Sequence, residues 1–236
     1  MDRIVTAAAK SKGIAPQSII CEDLGTLTSP VKAVMEKRGY SGIRVTQFVD
    51  PNEPTHIYRG RNVALRHWMT TGTHDNEPIL LWSKKRLEKN SAELWKHAEN
   101  LAEDLIPEPA RREAYKQSLT HDACALTQAK FAELFAGPSE QVQIFFTDLF
   151  GMETPYNRPS TVGNENWVLR IPQDFAAAYF AAVKAGGALN LPAAFATALR
   201  ARGGDQHAAL IAELDQYAGL LLSGVVIGQE VSESRN

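Results

Sequence analysis

The chain has 236 residues and a formal net charge of −2, with 44% hydrophobic and 22% charged residues, the composition of an ordinary soluble globular protein. This balance indicates neither a nucleic-acid-binding face nor a membrane surface, and no apolar run approaches the roughly 20 residues that span a bilayer. The two cysteines, Cys21 and Cys124, are too few for a disulfide framework, and no secretory signal follows Met1. We therefore expect a cytoplasmic protein with no nucleic-acid or membrane partner.

The first acidic turn follows a short apolar strand. Residues 17–21 lie between a proline and the turn 22–25 (Glu-Asp-Leu-Gly), a pattern that predicts a buried strand ending on two carboxylates. Such turns at strand ends are where α/β proteins place their chemistry. Adjacent residues on a strand point to opposite faces, so only one of Glu22 and Asp23 can face a pocket. Alternatively, one carboxylate caps the turn and the other is solvated.

The next elements repeat a strand–helix pattern. Residues 28–30 (Thr-Ser-Pro) are a helix start, a hydroxyl cap followed by proline, and the helix stops at Gly39. Residues 42–49 alternate apolar and polar side chains and are predicted as a second strand, as in a βαβ unit. A further short run, residues 67–71, leads into the polar turn 72–76 (Gly-Thr-His-Asp-Asn).

The rest of the chain is mostly helical. Residues 77–136 are predicted as several helices, the last of which is capped by Asp122. Residues 141–146 are a fourth strand candidate, and 151–171 form a long ordered loop without periodicity. From residue 172 to about 224 the chain is again helical. The fold class is therefore α/β with a parallel sheet, although four strands do not close an eight-stranded barrel.

His74, Asp75 and Asn76 place three polar groups at the end of a predicted strand. Such a cluster can hold sugar hydroxyls or orient a carboxylate for acid–base catalysis. The alternative is that Asp75 or Asn76 only caps the following helix. The same triplet recurs at residues 120–122 without a preceding strand, and we interpret that copy as a capping turn.

The loop of residues 156–167 is rich in amides and ends on an aromatic residue. Planar hydrogen-bonding groups and a flat apolar face are typical of carbohydrate sites, which makes Asn164, Asn166 and Trp167 candidates for substrate binding. A purely structural loop is the competing interpretation. The sequence has no glycine-rich phosphate loop and no cysteine–histidine spacing typical of zinc, so we expect neither a nucleotide cofactor nor a metal.

Three stretches together resemble the 4-α-glucanotransferases, also called amylomaltases or disproportionating enzymes. They are residues 22–25, residues 71–76 (Thr-Gly-Thr-His-Asp-Asn), and residues 159–163 (Pro-Ser-Thr-Val-Gly) followed by Asn166-Trp167. Each motif alone is weak, but their order and spacing are specific, and the resemblance covers about residues 1–171. It implies a (β/α)8 TIM-type barrel with inserted and C-terminal helices, and a retaining transfer of α-1,4-glucan segments between maltodextrins without a cofactor.

The resemblance also implies roles for individual residues. Glu22 falls on the general acid/base of the family, and Asp75 falls on the carboxylate that stabilises the oxocarbenium-like transition state. His74 falls on a residue that hydrogen-bonds the sugar at the cleavage point. The predicted site is therefore Glu22 and Asp75 for catalysis, with substrate binding by the set His74, Asn76, Asn164, Asn166 and Trp167.

One departure from the family is important. The family nucleophile is an aspartate in an Arg-x-Asp motif upstream of the glutamate motif, and the residues before Glu22 contain no such motif. We therefore expect the chain to be the second half of the barrel, active only together with the missing N-terminal barrel half. Residues 1–171 are predicted as the barrel part with a helical insertion at 77–136, and residues 172–236 as a helical segment packing on it.

Two other functions remain open. A maltodextrin-binding module without catalysis explains the absent nucleophile but not the acid/base motif. An amylase-like hydrolase differs from a transferase only in whether water or a sugar hydroxyl accepts the glycosyl group.

Overall fold

A computed structural model describes residues 2–15, 18–25 and 27–223. The four strands are β1 (Ile20–Cys21), β2 (Ser41–Val45), β3 (Trp68–Thr70) and β4 (Gln141–Val142). The helices of the first half are α1 (Asp2–Ser11), α2 (Ser29–Arg38), α3 (Ile79–Lys89), α4 (Ala92–Leu105) and α5 (Pro109–His121). Those of the second half are α6 (Ala123–Ala136), α7 (Phe146–Leu149), α8 (Phe175–Lys184), α9 (Leu191–Ala201) and α10 (Ala208–Ser223).

The four strands form one parallel sheet in the order β1-β2-β3-β4. Cys21 pairs with Gly42, and Val45 pairs with Thr70. Met69 pairs with Val142. Because every strand runs in the same direction, the turns that follow the strands meet at one edge of the sheet. This confirms the predicted parallel α/β class, and within the described residues β1 and β4 are the outer strands.

Three strands are shorter than the sequence predicts. The predicted strand 42–49 ends at Val45, and a 3-10 helix (Thr46–Phe48) follows it. In this turn the carbonyl of Thr46 accepts hydrogen bonds from the Val49 amide at 3.4 Å and from the buried Lys130 ammonium at 3.0 Å. The predicted strand 141–146 ends at Val142. The first strand covers Ile20–Cys21, and Gln17 of the predicted segment lies outside the described residues. The prediction that this strand is buried is wrong, because β1 is an outer strand of the described sheet and Ile20 is 39% exposed.

Local capping signals predict the helix ends well. Helix α2 begins after Thr28 and ends at Gly39, whose φ of 67° is left-handed and therefore suits glycine. The predicted hydroxyl cap is wrong, because the Thr28 side chain makes no capping hydrogen bond and Pro30 in the first turn has no amide to donate. Asp122 caps α6 by accepting hydrogen bonds from the amides of Cys124 and Ala125, which confirms that the second triplet is a capping turn.

Most of the apolar core lies between the helices that connect β3 to β4. Side chains of α3, α4, α5 and α6 form one cluster, which Leu189 and Ala194 join from the C-terminal helices. Asn190 reinforces this contact, because its backbone amide and carbonyl both hydrogen-bond the Gln128 side chain. Fully buried members of the cluster include Met69, Ile79, Leu94, Leu105, Leu119, Leu126, Phe131 and Leu134. The helical layer therefore holds β3, and the turn after it, against a rigid support.

No helix in the described part of the chain is both long and apolar enough to cross a membrane.

Candidate active site

A cleft of about 110 Å³ lies at the edge of the sheet where the strands end. Glu22 lines it from the turn after β1, and His74 and Asp75 line it from the turn after β3. Gln143 and Phe145 complete it from the segment after β4. Residues that are up to 123 positions apart in the chain therefore meet because the sheet is parallel.

The two adjacent carboxylates of the first turn have different environments. Glu22 is exposed at the cleft, whereas Asp23 is buried with 8% of its surface exposed. The Asp23 carboxylate accepts hydrogen bonds from the Ile43 amide at 2.8 Å and from Arg44 Nη1 at 2.7 Å. Asp23 therefore fixes the turn to β2, and Glu22 is the carboxylate that faces the pocket.

Space for this arrangement depends on Gly42. A Cβ atom at this position would lie 2.5 Å from Asp23 Cγ and 2.6 Å from Oδ1, so a side chain there would displace the carboxylate. The Gly42 amide also donates to His67 Nδ1 at 2.9 Å, which requires an unprotonated Nδ1. Burial and the positive charges of Arg44 and Arg66 lower the pKa of His67 to about 4, which keeps the ring neutral.

The turn after β3 is held together by its own side chains. Asn76 Oδ1 accepts hydrogen bonds from the Thr73 amide at 2.7 Å and from the Thr73 hydroxyl at 2.8 Å. Asp75 makes no cap, since helix α3 begins after Pro78 without a capping side chain from the turn. The interpretation of Asp75 or Asn76 as a helix cap is therefore wrong, and the Asp75 side chain lies 44% exposed at the cleft.

The long loop reaches the cleft and contacts Asp75. Asn157 Nδ2 donates to Asp75 Oδ1 at 2.6 Å, and His74 Nε2 lies 3.5 Å from the same oxygen. The Asn157 hydrogen bond holds the carboxylate, and the His74 ring lies beside the same oxygen. Asn157 lies within the amide-rich loop identified from the sequence, but its contact partner is 82 residues away, and no sequence spacing predicts it.

The Trp167 ring packs against the His74 ring, with 5.0 Å between the ring centroids. Trp167 is 55% exposed, and its backbone φ of 65° is left-handed, which is unusual for an aromatic residue. The Trp167 amide donates to the Tyr156 carbonyl at 2.7 Å and so maintains this conformation. Strained backbone of this kind is concentrated at functional sites, where the surrounding structure enforces it.

Three of the predicted substrate-binding residues do not line the cleft. Asn76 supports the turn through its side-chain oxygen, as described above. Asn166 stabilises the loop internally, because its side chain bonds the Arg158 amide at 3.0 Å and the Thr161 hydroxyl at 3.0 Å. Asn164 is exposed on the loop, outside the cleft. The structure therefore brings Glu22, His74 and Asp75 into the cleft, with Trp167 against His74.

Gln47 is a supporting residue that the sequence pattern does not single out. It lies buried in the 3-10 helix after β2. Its backbone amide donates to the Thr71 carbonyl at 3.1 Å, and its side-chain Nε2 donates to the Glu77 backbone carbonyl at 2.9 Å. The sequence shows only that Gln47 is a polar residue in a segment predicted as an alternating strand. In such a strand the polar residues are expected to face solvent, so the pattern does not predict that Gln47 is buried.

Among the described residues, no group of three His, Cys, Asp or Glu side chains is arranged to hold a metal ion. The chemistry available at the cleft is that of two carboxylates, an imidazole and an indole. A carboxylate pair beside a flat aromatic face is an arrangement suited to a sugar ring and its glycosidic oxygen.

The sequence model of glycoside hydrolase family 77, described as 4-alpha-glucanotransferase, matches residues 2–175. The chain belongs to the 4-alpha-glucanotransferase family. This confirms the resemblance carried by the three motifs. The matched range contains the whole sheet and the whole cleft and ends at the first residue of α8.

Individual members of the family are similar in sequence to part of this chain. The 4-alpha-glucanotransferase of Streptococcus pneumoniae (strain TIGR4) is 26% identical over 169 residues, which is 71% of this chain and 30% of the relative. The chloroplastic/amyloplastic 4-alpha-glucanotransferase DPE1 of Arabidopsis thaliana is 27% identical over 167 residues, or 70% of this chain and 25% of the relative. The chain thus spans less than a third of the length of these family members.

A solved structure shares the fold. The amylomaltase of Corynebacterium glutamicum superimposes with a TM-score of 0.51 at 20% sequence identity, over 82% of this chain and 29% of that protein. The arrangement of the sheet and helices is therefore one found in part of an amylomaltase.

Proposed function

We propose that this chain provides the acid/base part of a 4-α-glucanotransferase site and acts on α-1,4-linked maltodextrins. The observation that carries the proposal is the meeting of Glu22 and Asp75 in one cleft at the carboxyl ends of parallel strands. The family match covers both residues. The proposal concerns the reaction of the complete site, of which the described sheet supplies four strands.

In this reaction Glu22 protonates the glycosidic oxygen as the bond to the donor sugar breaks, and a carboxylate nucleophile attacks the anomeric carbon. In the second step Glu22 removes the proton from the incoming sugar hydroxyl, which displaces the nucleophile and restores the original configuration. Asp75 stabilises the positive charge that develops on the sugar in both transition states. His74 hydrogen-bonds the same sugar, and Trp167 offers its exposed face to the next ring.

The nucleophile is assigned to strands outside the described sheet. Glu22 and Asp75 are the carboxylates among the described cleft residues, and both have other roles in this mechanism. The outer edges of β1 and β4 carry no neighbouring strand within the described residues, and Ile20 and Ile144 lie 39% and 37% exposed near them. Further strands at these edges would cover this apolar surface and bring the attacking carboxylate to the cleft.

The test compares turnover of maltotriose by the chain alone and by the chain together with a segment that supplies the upstream strands of a family member. We expect glucose and longer dextrins from the combined protein, and loss of both products in Glu22→Gln. A maltosyl fluoride substrate adds a direct check of the proton, because fluoride leaves without protonation. Release of fluoride by Glu22→Gln should be impaired much less than cleavage of maltotriose, and equal impairment with both substrates would remove the acid role from Glu22.

A second function is a maltodextrin-binding module without catalysis. The observation in its favour is that the described cleft residues include no third carboxylate. Binding of maltoheptaose to the combined protein without any turnover would support this function over the first. Production of glucose without longer dextrins would instead indicate a hydrolase, in which water replaces the acceptor sugar.

A further inference from the structure

Asp148 lies in α7, beneath the turn that carries His74 and Asp75, and is 4% exposed. Its Oδ1 accepts a hydrogen bond from the Ile79 amide at 2.9 Å, and its Oδ2 accepts one from the Thr71 hydroxyl. Thr71 is the first residue after β3, and Ile79 is the first residue of α3. One buried carboxylate therefore bonds both ends of the segment 71–79.

This contact replaces the missing helix cap. Helix α3 has Pro78 at its N-cap position, which provides no side-chain acceptor for the first free amides of the helix. Asp148 supplies that acceptor from 69 residues away and places negative charge at the positive end of the helix dipole. Burial raises the pKa of Asp148, while the bonds from Thr71 and Ile79 favour the ionised form.

Helix α7 also supports the loop residue Asn157, which hydrogen-bonds Asp75. Tyr156 packs against the Phe146 ring of α7 at 5.0 Å and against the neighbouring Phe145 ring at 5.4 Å. Tyr156 directly precedes Asn157, which donates to the Asp75 carboxylate. Helix α7 thus fixes both the turn that carries Asp75 and the loop residue that holds it.

We propose that Asp148 is a positioning residue that sets the orientation of the Asp75 carboxylate by clamping segment 71–79 at both ends. Asp148 does not line the cleft, and it acts through the turn that it bonds. The inference rests on the proposed function for its catalytic consequence, but the clamp itself is a property of the free chain.

The first measurement is amide hydrogen exchange of segment 71–79 in the full chain without any sugar. Asp148→Ala should accelerate exchange in this segment relative to the wild type. Asp148→Asn should restore much of the protection, because its amide oxygen can accept from Ile79 and its amide nitrogen can donate to the Thr71 hydroxyl. The matched control is Asp122→Ala, which removes a carboxylate bonded to the first amides of α6 and should affect exchange there only.

If Asp148→Ala prevents folding, Thr71→Val removes one end of the clamp with little change in shape, and Thr71→Ser restores the hydroxyl. Unchanged exchange of segment 71–79 in the alanine and valine variants, or the same acceleration in Asp122→Ala, would overturn the proposal.

The second measurement uses maltotriose turnover in the protein combined with the upstream strands. Asp148→Ala should lower kcat by about 100-fold with little change in KM, because misplacing a catalytic group by an ångström costs about that much and Asp75 acts mainly in the transition state. The asparagine variant should recover most of the rate. A rise in KM at unchanged kcat would contradict the positioning role. If the wild type itself does not turn over, the proposed function fails, and the exchange experiment decides the clamp alone.

Discussion

Replacing Gly42 by alanine places a methyl group where the Asp23 carboxylate lies. The added carbon would lie 2.6 Å from Asp23 Oδ1, well inside van der Waals contact, so the carboxylate must move. Moving it breaks the hydrogen bonds to the Ile43 amide and to Arg44, at 2.8 and 2.7 Å, and leaves the buried guanidinium without its partner. We expect a loss of about 3–5 kcal/mol of unfolding free energy, the typical cost of breaking a buried ion pair.

The matched control is Gly219→Ala. Gly219 lies in α10, is exposed, and has no atom within 4 Å of the position that its Cβ would take. Alanine there should stabilise the chain by about 0.5–1 kcal/mol, because it favours the helical backbone. Urea unfolding followed by circular dichroism gives both values. A Gly42→Ala variant with the stability of the wild type would refute the packing of Asp23 against β2, and with it the reason why Glu22 faces the cleft.

Three further predictions concern charge. Because the folded chain keeps His67 neutral, the wild type should lose up to about 3 kcal/mol of unfolding free energy as the pH falls from about 6.5 to 4 and the unfolded chain takes up the proton. His67→Asn should not show this loss, and denaturant titration at several pH values measures the difference. Asn157→Ala should change the unfolding midpoint little, since the bond to Asp75 is exposed, but should lower maltotriose turnover in the combined protein. Lys130→Met should cost about 3–5 kcal/mol by leaving the buried Glu133 unpaired, and Lys130→Met with Glu133→Gln should recover part of it in the same unfolding assay.

The sequence predicts those parts of the fold that depend on neighbouring residues. The cap at Asp122, the stop at Gly39 and the helical character of residues 77–136 depend on side chains within one turn of each other, and the structure contains all three. The strand predicted at residues 42–49 is too long: it ends at Val45, and the next carbonyl, that of Thr46, bonds the Lys130 ammonium from 84 positions away. Periodicity cannot report such a contact.

The candidate site divides in the same way. The motifs place Glu22, His74 and Asp75 at strand ends, and a parallel sheet is sufficient to bring them together. The residues that hold them, Asn157 and Asp148, act over 82 and 69 positions and belong to a loop and a short helix without periodicity. Long-range hydrogen bonds of this kind follow from the packing of the whole chain, so sequence spacing does not predict them.

We propose that Glu22 is the proton donor and acceptor of glucan transfer. The most direct measurement is the initial rate of maltotriose disproportionation by Glu22→Gln in the protein combined with the upstream strands, beside the wild type and Glu36→Gln. Glu36 is an exposed carboxylate of α2 and does not line the cleft, so its amide variant should retain the wild-type rate. We expect a loss of about 10²–10⁴-fold for Glu22→Gln, the usual contribution of general acid–base catalysis. A Glu22→Gln rate equal to that of Glu36→Gln would contradict it.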